Sequence, residues 1–410
     1  MKNISEVLIH FDHTQTRRSK QYLTRFFNQK NYCLEQTLEV QNTLKLFLDN
    51  FSLLQNYKIN DQTVSSIHQF SEEIESRNYT HLTNFTYREF YKETNFNISL
   101  FIEFFYRLGL LLRNLNLTNT SAEYAREIEK MILFINSLSV NEYYSKELQF
   151  KHRKAFLIKI ESEKENGNLT SFWDFFYRFD MYCGMAKGIR KFDLVFPHFN
   201  SDNIFTINEF YHLNLTDSVK NSININGNNT VVFTGANMSG KSTAMKSISI
   251  VVLLAHLGLA VPAEYCNIPF YDRIFLFFSV DDNLEKGYSY FAQEIINLKE
   301  VLLELKSKNC FAVFDEIFKG TNINDAAQIT INTVEGLSRY KNSMFILSTH
   351  LNLIEKDLAK NENILVLNLE SFVKDEQLLF TYKLKEGWSK IEIGKILFDK
   401  YGLNALLKEG

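Results

Sequence analysis

A glycine-rich segment at residues 235–243, GANMSGKST, has the residue types and spacing of a phosphate-binding loop. The β-favouring residues Val231 to Thr234 precede it and an apolar run from Ile248 to Val261 follows. We therefore expect a strand before the loop and a helix after it. Glycines let backbone N–H groups close around phosphates, and a helix start adds partial positive charge. The pattern predicts a site for ATP and Mg²⁺, the alternative being a glycine-rich turn without a ligand. The expected ligands are Gly235, Ala236, Asn237, Met238, Ser239, Gly240, Lys241, Ser242 and Thr243, with Lys241 on the phosphates and Ser242 on the metal.

Two acidic residues follow a second apolar segment, CFAVFDEI, at residues 310–317. At the end of a strand facing the loop, Asp315 would bind Mg²⁺ either directly or through a ligand of the metal, and Glu316 would orient or deprotonate the attacking water. A third segment, SMFILSTH, ends in His350, which we expect to sense the γ-phosphate. An Asp-Glu pair after a strand is common and a lone histidine is usually structural, so this interpretation depends on the loop. The predicted catalytic residues are Lys241, Glu316 and His350.

A fourth segment, DDNLEKGYSYFAQEI at residues 281–295, leads through Gly287 into a predicted helix that begins near Ser289. The N–H groups at such a helix start can bind an anion. In ATPases of the ABC type, a serine in this place approaches the γ-phosphate of the opposite subunit, so that two chains enclose the nucleotides. The alternative is a capped helix at the surface.

The composition is that of an ordinary soluble globular protein, with 410 residues, 45% hydrophobic and 23% charged, and a net charge of −3. This charge provides no global basic field for nucleic acid, although a local patch is compatible with it. The four cysteines lack metal-like or redox-like spacing and the N-terminus lacks a signal-peptide pattern, so we expect a cytoplasmic protein. The apolar stretch SLFIEFFYRLGLLL is short for a membrane span and contains Glu103 and Arg107. It predicts a core helix and no membrane partner.

The elements that must position these residues differ between the two halves of the chain. Up to residue 196 there is no proline and only four of the 15 glycines, which favours long helices. The stretch from Ser121 to about Lys164 predicts one or two of them, suited either to levers or to an ordinary bundle. After residue 200, short apolar runs alternate with helical patterns, which is typical of an α/β domain with a mainly parallel sheet. We predict an all-α domain at 1–190 and an α/β domain at 191–410.

Together, these motifs resemble those of the MutS family of DNA mismatch-repair ATPases. The family's loop is close to G-P-N-M-x-G-K-S-T, with Ala236 here in place of the proline, and DEIFKGT resembles its D-E-I-G-R-G-T. The similarity is strong over roughly residues 190–405 and loose before them. It implies a P-loop (Walker A) ATPase domain of the ABC type after core and lever helices, working as a homodimer on DNA. The matching segments are TGANMSGKST (234–243), DDNLEKGYSYFAQE (281–294), DEIFKGTNINDA (315–326) and STH (348–350).

The chain also departs from the family pattern. It starts at the helical core and has no counterpart of the mismatch-reading domain, so we expect any DNA binding to be without mismatch preference. Ser218 or Val219 stands where the family often has an aromatic residue against the adenine ring, which leaves the base contacts undefined. Asn221 falls at a recurring asparagine of the family.

Three hypotheses for the function follow. The first is an ATP-driven DNA-binding protein of mismatch repair or recombination. The second is an ATPase switch that has lost DNA contact and acts on a protein partner. The third, a nucleotide-binding scaffold with little turnover, is disfavoured because Lys241, Asp315, Glu316 and His350 are intact. The sequence defines neither the preferred DNA structure nor the partner or pathway.

Overall fold

The structure is a computed structural model, which describes residues 6–74, 87–118, 120–144, 150–235, 239–278, 290–318, 321–374, 377–389, 398 and 401–407. The chain divides into two compact units. The first is Met1–Asn28 with Leu38–Phe192, and the second is Gln29–Thr37 with Asp193–Gly410. The sequence placed the boundary at 190/191 and gave no sign that residues 29–37 lie within the second unit.

The described secondary structure of the first unit consists of helices. Its two longest described helices have 27 and 24 residues, and the proline-free sequence allows such lengths. The helices are α1 (Arg17–Phe27), α2 (Leu34–Asp49, whose first residues belong to the second unit), α3 (Phe51–Leu54), α4 (Asp61–Glu73), α5 (Tyr87–Arg113), α6 (Ala122–Ser137), α7 (Val140–Tyr143), α8 (Phe150–Glu165) and α9 (Asn168–Lys191).

Helix α9 forms the centre of this unit. Its aromatic residues Phe172, Trp173, Phe175 and Phe176 are all at most 2% exposed, so the helix is covered on several sides. The buried Asp180 carboxylate accepts hydrogen bonds from the backbone N–H groups of residues 15 and 16 and so fixes the segment that leads into α1. Burial raises the pKa of Asp180, while these hydrogen bonds lower it. These contacts favour a bundle, the second of the two arrangements that the sequence left open.

Two helices differ from their predicted form. The stretch 121–164 contains α6, the short α7 and α8 instead of one or two long helices, because Ser139 adopts a left-handed conformation (φ 56°) between the first two. Helix α5 is longer than the apolar stretch SLFIEFFYRLGLLL at residues 99–112. Its residues Thr94–Arg113 have the length and composition to cross a membrane. Its Phe101, Phe105 and Leu108 are nevertheless buried, and Glu103 forms an ion pair with Arg107 at the surface. The segment packs as a core helix of the first unit.

The second unit contains a six-stranded sheet in the order β10-β9-β4-β8-β7-β6. All neighbouring strands in it are parallel except β9 and β10, as the mainly parallel pattern of the sequence predicted. The strands are β4 (Thr230–Thr234), β6 (Arg273–Phe277), β7 (Cys310–Phe314), β8 (Met344–Ser348), β9 (Ile364–Lys374) and β10 (Gln377–Glu386). The helices are α10 (Lys241–His256), α11 (Tyr290–Glu304), α12 (Ile323–Leu337), α13 (Glu355–Leu358) and α14 (Leu403–Leu406).

A second, four-stranded sheet was not predicted. It has the order β1-β5-β2-β3, with β1 (His198–Asn200), β2 (Phe205–Phe210), β3 (Asn221–Ile225) and β5 (Tyr265–Pro269). Helix α10 contacts β2 of this sheet and β8 of the larger one, so it lies between the two sheets. This explains why nearly every residue of the helix is buried. The helix ends at His256 and not at Val261, because Gly258 turns the chain in a left-handed conformation (φ 78°).

His256, the last residue of α10, is completely buried. Its Nδ1 donates to the carbonyl oxygen of Val252 at 2.7 Å, and its Nε2 accepts from the backbone N–H of Tyr271 at 2.8 Å. The Thr37 hydroxyl donates to the carbonyl oxygen of His256 at 2.8 Å, which ties residues 29–37 to the second unit. Burial lowers the pKa of the imidazole to about 4, despite the hydrogen bond to Val252.

Candidate functional site

The glycine-rich loop joins β4 to α10, as the sequence predicted, and two of its glycines have backbone conformations that other residues rarely adopt. Gly235 has a φ of 117° and Gly240 a φ of 98°. Helix α10 begins directly at Lys241, so the N–H groups of its first turn lie at the end of the loop, where an anion can bind. Ala236, Asn237 and Met238 lie outside the described residues.

Three neighbouring strands bring the other predicted residues to the same edge of the sheet. Asp315 and Glu316 follow β7 directly, and His350 lies two residues beyond β8, which is between β4 and β7. The carbonyl oxygen of Gly235 lies 2.6 Å from Lys241 Nζ and 3.2 Å from His350 Nδ1. His350 Nε2 lies 2.5 Å from Glu316 Oε1. Lys241, Glu316 and His350 thus meet at the start of the loop.

The hydrogen-bond directions at His350 follow from its neighbours. The Gly235 carbonyl can only accept, so the ring presents Nδ1–H to it. The other ring nitrogen lies 2.5 Å from a carboxylate oxygen of Glu316, and a hydrogen bond between them needs a proton on one of the two atoms. The histidine therefore links the base of the loop to the acidic side chain after β7.

Glu316 stands on a strained turn. Its φ is 57°, and that of Phe318 is 64°, two left-handed conformations in three residues without glycine. Phe318 is only 1% exposed, and its ring packs at 6.1 Å from that of Phe291 on α11. This packing holds the turn, and strain of this kind occurs often at functional sites. A pocket of about 270 Å³ adjoins the turn, and it is lined by Glu316, Ile317, Phe318, Thr321, Ile323, Ala326, Thr349, His350 and Leu351.

Tyr382 on β10 was missed by the sequence analysis. A methyl group added to Gly240 would lie 3.1 Å from Tyr382 Cδ1, so the ring covers the end of the loop while 45% of the residue stays exposed. Tyr382 lies at a register shift of β10 and has a φ of 58°. Asn221 fixes this irregularity, because its side chain donates to the Tyr382 carbonyl at 2.9 Å and accepts from Leu384 N–H at 2.8 Å. Only the tertiary pairing reveals this tyrosine.

Two observations test whether the loop suits a phosphate and a metal. The Ser239 hydroxyl is buried beside the loop glycines without a hydrogen-bond partner among the described residues, and Lys241 is only 4% exposed. An oxyanion would satisfy the Ser239 hydroxyl and lie beside the charge of Lys241, whose Nζ also donates to the Gly235 carbonyl oxygen. The described residues contain no cluster of three or more His, Cys, Asp or Glu side chains suited to a metal. Mg²⁺ needs no such cluster, because one carboxylate, a hydroxyl and phosphate oxygens can hold it. Ser289 lies outside the described residues.

Comparison with known proteins gives a family for this part of the chain. Residues 231–400 match the family model of MutS domain V. This segment contains the loop, β7, β8 and the Tyr382 strand, so the resemblance predicted from the motifs is confirmed for the C-terminal part.

Curated relatives of this chain carry the name DNA mismatch repair protein MutS. That of Lysinibacillus sphaericus is 31% identical over 218 residues, covering 51% of this chain and 25% of the relative. That of Streptococcus suis is 27% identical over 309 residues, covering 73% of this chain and 35% of the relative. The latter alignment is longer than the segment 193–410 and therefore includes part of the helical unit. The chain spans about a quarter to a third of the length of the MutS relatives it matches.

Proposed function

We propose that this chain is a Mg²⁺-dependent ATPase of the MutS family whose nucleotide cycle controls DNA binding. The observation that supports this best is the meeting of Lys241, Glu316 and His350 around the Gly235 carbonyl. A lysine at a glycine-rich loop, an acid after β7 and a histidine after β8, the strand between β4 and β7, match the needs of phosphoryl transfer to water. The match of this segment to MutS domain V agrees with that chemistry.

In the proposed site, the loop N–H groups and Lys241 hold the phosphates, and Ser242 with Asp315 holds Mg²⁺. The bound metal would neutralise charge on the phosphate oxygens. Glu316 takes the proton of the attacking water, and His350 keeps that carboxylate oriented through its contact of 2.5 Å. The half-exposed Tyr382 ring, at the end of the loop, offers the flat surface for the base that Ser218 and Val219 lack.

A second copy of the chain completes the site in this proposal. Ser289 precedes α11 directly, and a helix start is suited to anions. The loop already supplies phosphate ligands from its own chain, so a further anion-binding segment suits the nucleotide of a partner chain. ATP would then lie between two chains and stabilise a two-fold homodimer.

DNA is the proposed partner because curated relatives are named DNA mismatch repair proteins. Its recognition would be electrostatic, through the phosphates of the DNA backbone. A net charge of −3 restricts any DNA contact to a local basic surface. The alternative function is an ATPase switch that acts on a protein partner, and the same charge favours it over a protein with a broad DNA contact.

The test compares ATP binding and phosphate release in two variants. Lys241→Ala removes the charge on the phosphates, so ATP binding should weaken sharply. Glu316→Gln keeps the size of the side chain but removes the base, so ATP should bind while hydrolysis falls by about 10²–10⁴-fold. Lys246→Ala is the matched control, because this lysine lies on the same helix and contacts the Phe278 ring instead of the loop.

Equal hydrolysis by Lys241→Ala and the parent protein would refute the phosphate site. Loss of ATP binding in Glu316→Gln would make Glu316 a ligand or a structural residue and not the base. Binding to matched, mismatched and branched DNA at several salt concentrations, with and without ATP, separates the two candidate functions. No binding to any of these DNAs would favour the protein-partner switch.

A further inference from the structure

A serine that the sequence analysis assigned to no role lies between the loop strand and the acidic strand. Ser348 is the last residue of β8, the strand between β4 and β7, and it pairs with Phe233 of β4. It is completely buried. Its side chain therefore acts inside the protein and makes no contact with solvent or ligand.

The Ser348 hydroxyl makes two hydrogen bonds, both to the acidic pair. It lies 2.8 Å from Asp315 Oδ1 and 2.6 Å from the backbone nitrogen of Glu316. The backbone N–H can only donate, so the hydroxyl oxygen accepts from Glu316. The hydroxyl has one hydrogen, and it donates this to Asp315. One side chain thus contacts both residues whose carboxylates the proposed site uses.

The first bond restrains the carboxylate of Asp315. With Oδ1 held by Ser348, the side chain has one preferred rotamer, and Oδ2 stays available to a ligand. Hydrogen bonds of this kind orient metal-binding carboxylates, and their removal costs about 10–100-fold in metal affinity or activity.

The second bond restrains the turn at Glu316. Glu316 has a φ of 57°, which is unfavourable for a residue with a side chain, so the turn needs compensating contacts. The Ser348 hydroxyl supplies one of them by accepting from the Glu316 N–H, the first N–H after the one of Asp315 that still bonds to Phe277 of β6. Without it, this hydrogen bond would be lost and the direction of the Glu316 side chain would be less well fixed.

We propose that Ser348 is a positioning residue of the ATPase site, whose hydroxyl aligns the metal-binding carboxylate of Asp315 and the turn that carries Glu316. This inference rests on the proposed function, because it gives Asp315 and Glu316 the roles assigned there. Ser348 itself touches neither nucleotide nor metal. His350, which follows two residues later, contacts the same Glu316 at its carboxylate.

The experiment uses the full chain and the variants Ser348→Ala, Ser348→Thr and Ser348→Cys. The dissociation constant of a fluorescent, non-hydrolysable ATP analogue is measured with MgCl₂ and with EDTA. The constant in EDTA divided by the constant in MgCl₂ is called the Mg²⁺ ratio, and it reports how much the metal strengthens binding. Steady-state hydrolysis of ATP gives kcat and KM. Thermal unfolding of each variant reports its stability separately.

Ser343→Ala is the matched control for stability. Ser343 is buried just before β8 and accepts from the N–H of Cys310, the first residue of β7, at 2.9 Å. It therefore has the same relation to the β7–β8 pair as Ser348, but at the opposite edge of the sheet and away from the acidic residues. Its loss should lower stability and leave the Mg²⁺ ratio and kcat unchanged.

Ser348→Ala should lower both the Mg²⁺ ratio and kcat, and the larger of the two decreases should be about 10–100-fold. The affinity for the analogue in EDTA should stay the same. Ser348→Thr keeps the hydroxyl and should restore both values. Ser348→Cys keeps the size but bonds weakly, so it should be intermediate and gives the result if the alanine variant fails to fold.

Three outcomes would overturn the proposal. One is a Mg²⁺ ratio and kcat unchanged in Ser348→Ala. The second is an equal loss of affinity with Mg²⁺ and with EDTA, or equal effects in Ser343→Ala, which would show a general structural role. The third is a nucleotide affinity of the parent protein that is the same with MgCl₂ and with EDTA. That result would refute the metal site of the proposed function itself, and the role of Ser348 would fall with it.

Discussion

Acid should destabilise the second unit through one residue, His256. In the neutral ring, Nδ1–H donates to Val252 and Nε2 accepts from the N–H of Tyr271. Protonation would place a hydrogen on Nε2, and this hydrogen would face the N–H of Tyr271, which is itself a donor. The buried site therefore resists the charged form, which is why the pKa falls from 6.5 to about 4.

The size of the effect follows from this shift. Above the unfolded-state pKa of 6.5, the ring is neutral in both states and the fold keeps its full stability. As the pH falls toward the folded-state pKa, the unfolded chain takes up a proton first, so the free energy of unfolding decreases. The loss from His256 amounts to about 2 kcal/mol at a pH of about 5 and about 3 kcal/mol when the folded state also titrates.

The assay is urea unfolding of the parent chain and of His256→Gln at several pH values. Glutamine can donate to Val252 and accept from Tyr271 without titrating. Between neutral pH and about pH 5, the free energy of unfolding of the variant should therefore decrease by about 2 kcal/mol less than that of the parent. His68, whose pKa burial also lowers to about 4, is present in both chains and cancels in the difference. His198→Gln, at an exposed position of the same unit, is the control. Equal losses in the parent and His256→Gln, within the error of extrapolation, would refute the reasoning.

Three further outcomes are expected. Tyr382→Ala should raise the dissociation constant of ATP by about tenfold through loss of base stacking, while Tyr382→Phe should not, and equilibrium binding with both variants checks this. Mixing inactive Ser289→Ala with inactive Lys241→Ala should restore hydrolysis, because one site of the mixed dimer then has neither change. No recovery in demonstrated mixed dimers would contradict composite sites. DNA affinity should be the same for matched and mismatched duplex and fall steeply with salt, and a salt-insensitive mismatch preference would count against the assignment.

The sequence predicted the parts of the site that depend on contiguous motifs. The strand before the loop and the helix after it, with strands ending at Asp315 and near His350, needed only local apolar runs and turn residues. The parallel order of β4, β8 and β7 then brings their carboxyl ends together. The roles of these residues stay predictions until the variants are measured.

The residues that the sequence did not reveal depend on pairing between distant segments. Tyr382 faces Gly240 only because β10 changes register, and Ser348 matters only because β8 lies beside β7. The four-stranded sheet and the place of residues 29–37 likewise join segments far apart in the chain. Hydrophobic periodicity reports the elements themselves and carries no information about which of them are neighbours.

The buried ring of Phe318 has a consequence for how this chain can change over generations. The segment DEIFKGT resembles a family motif with glycine in place of Phe318, and the φ of 64° is one that glycine adopts without cost. Substitution by glycine would release backbone strain but leave the space of a benzyl group beside Phe291, a loss of about 3–5 kcal/mol for a buried phenylalanine. The reverse substitution would need that space to exist beforehand. The two forms of the turn therefore differ in side-chain packing as well as in backbone strain, so a change at residue 318 is best tolerated together with a compensating change beside Phe291.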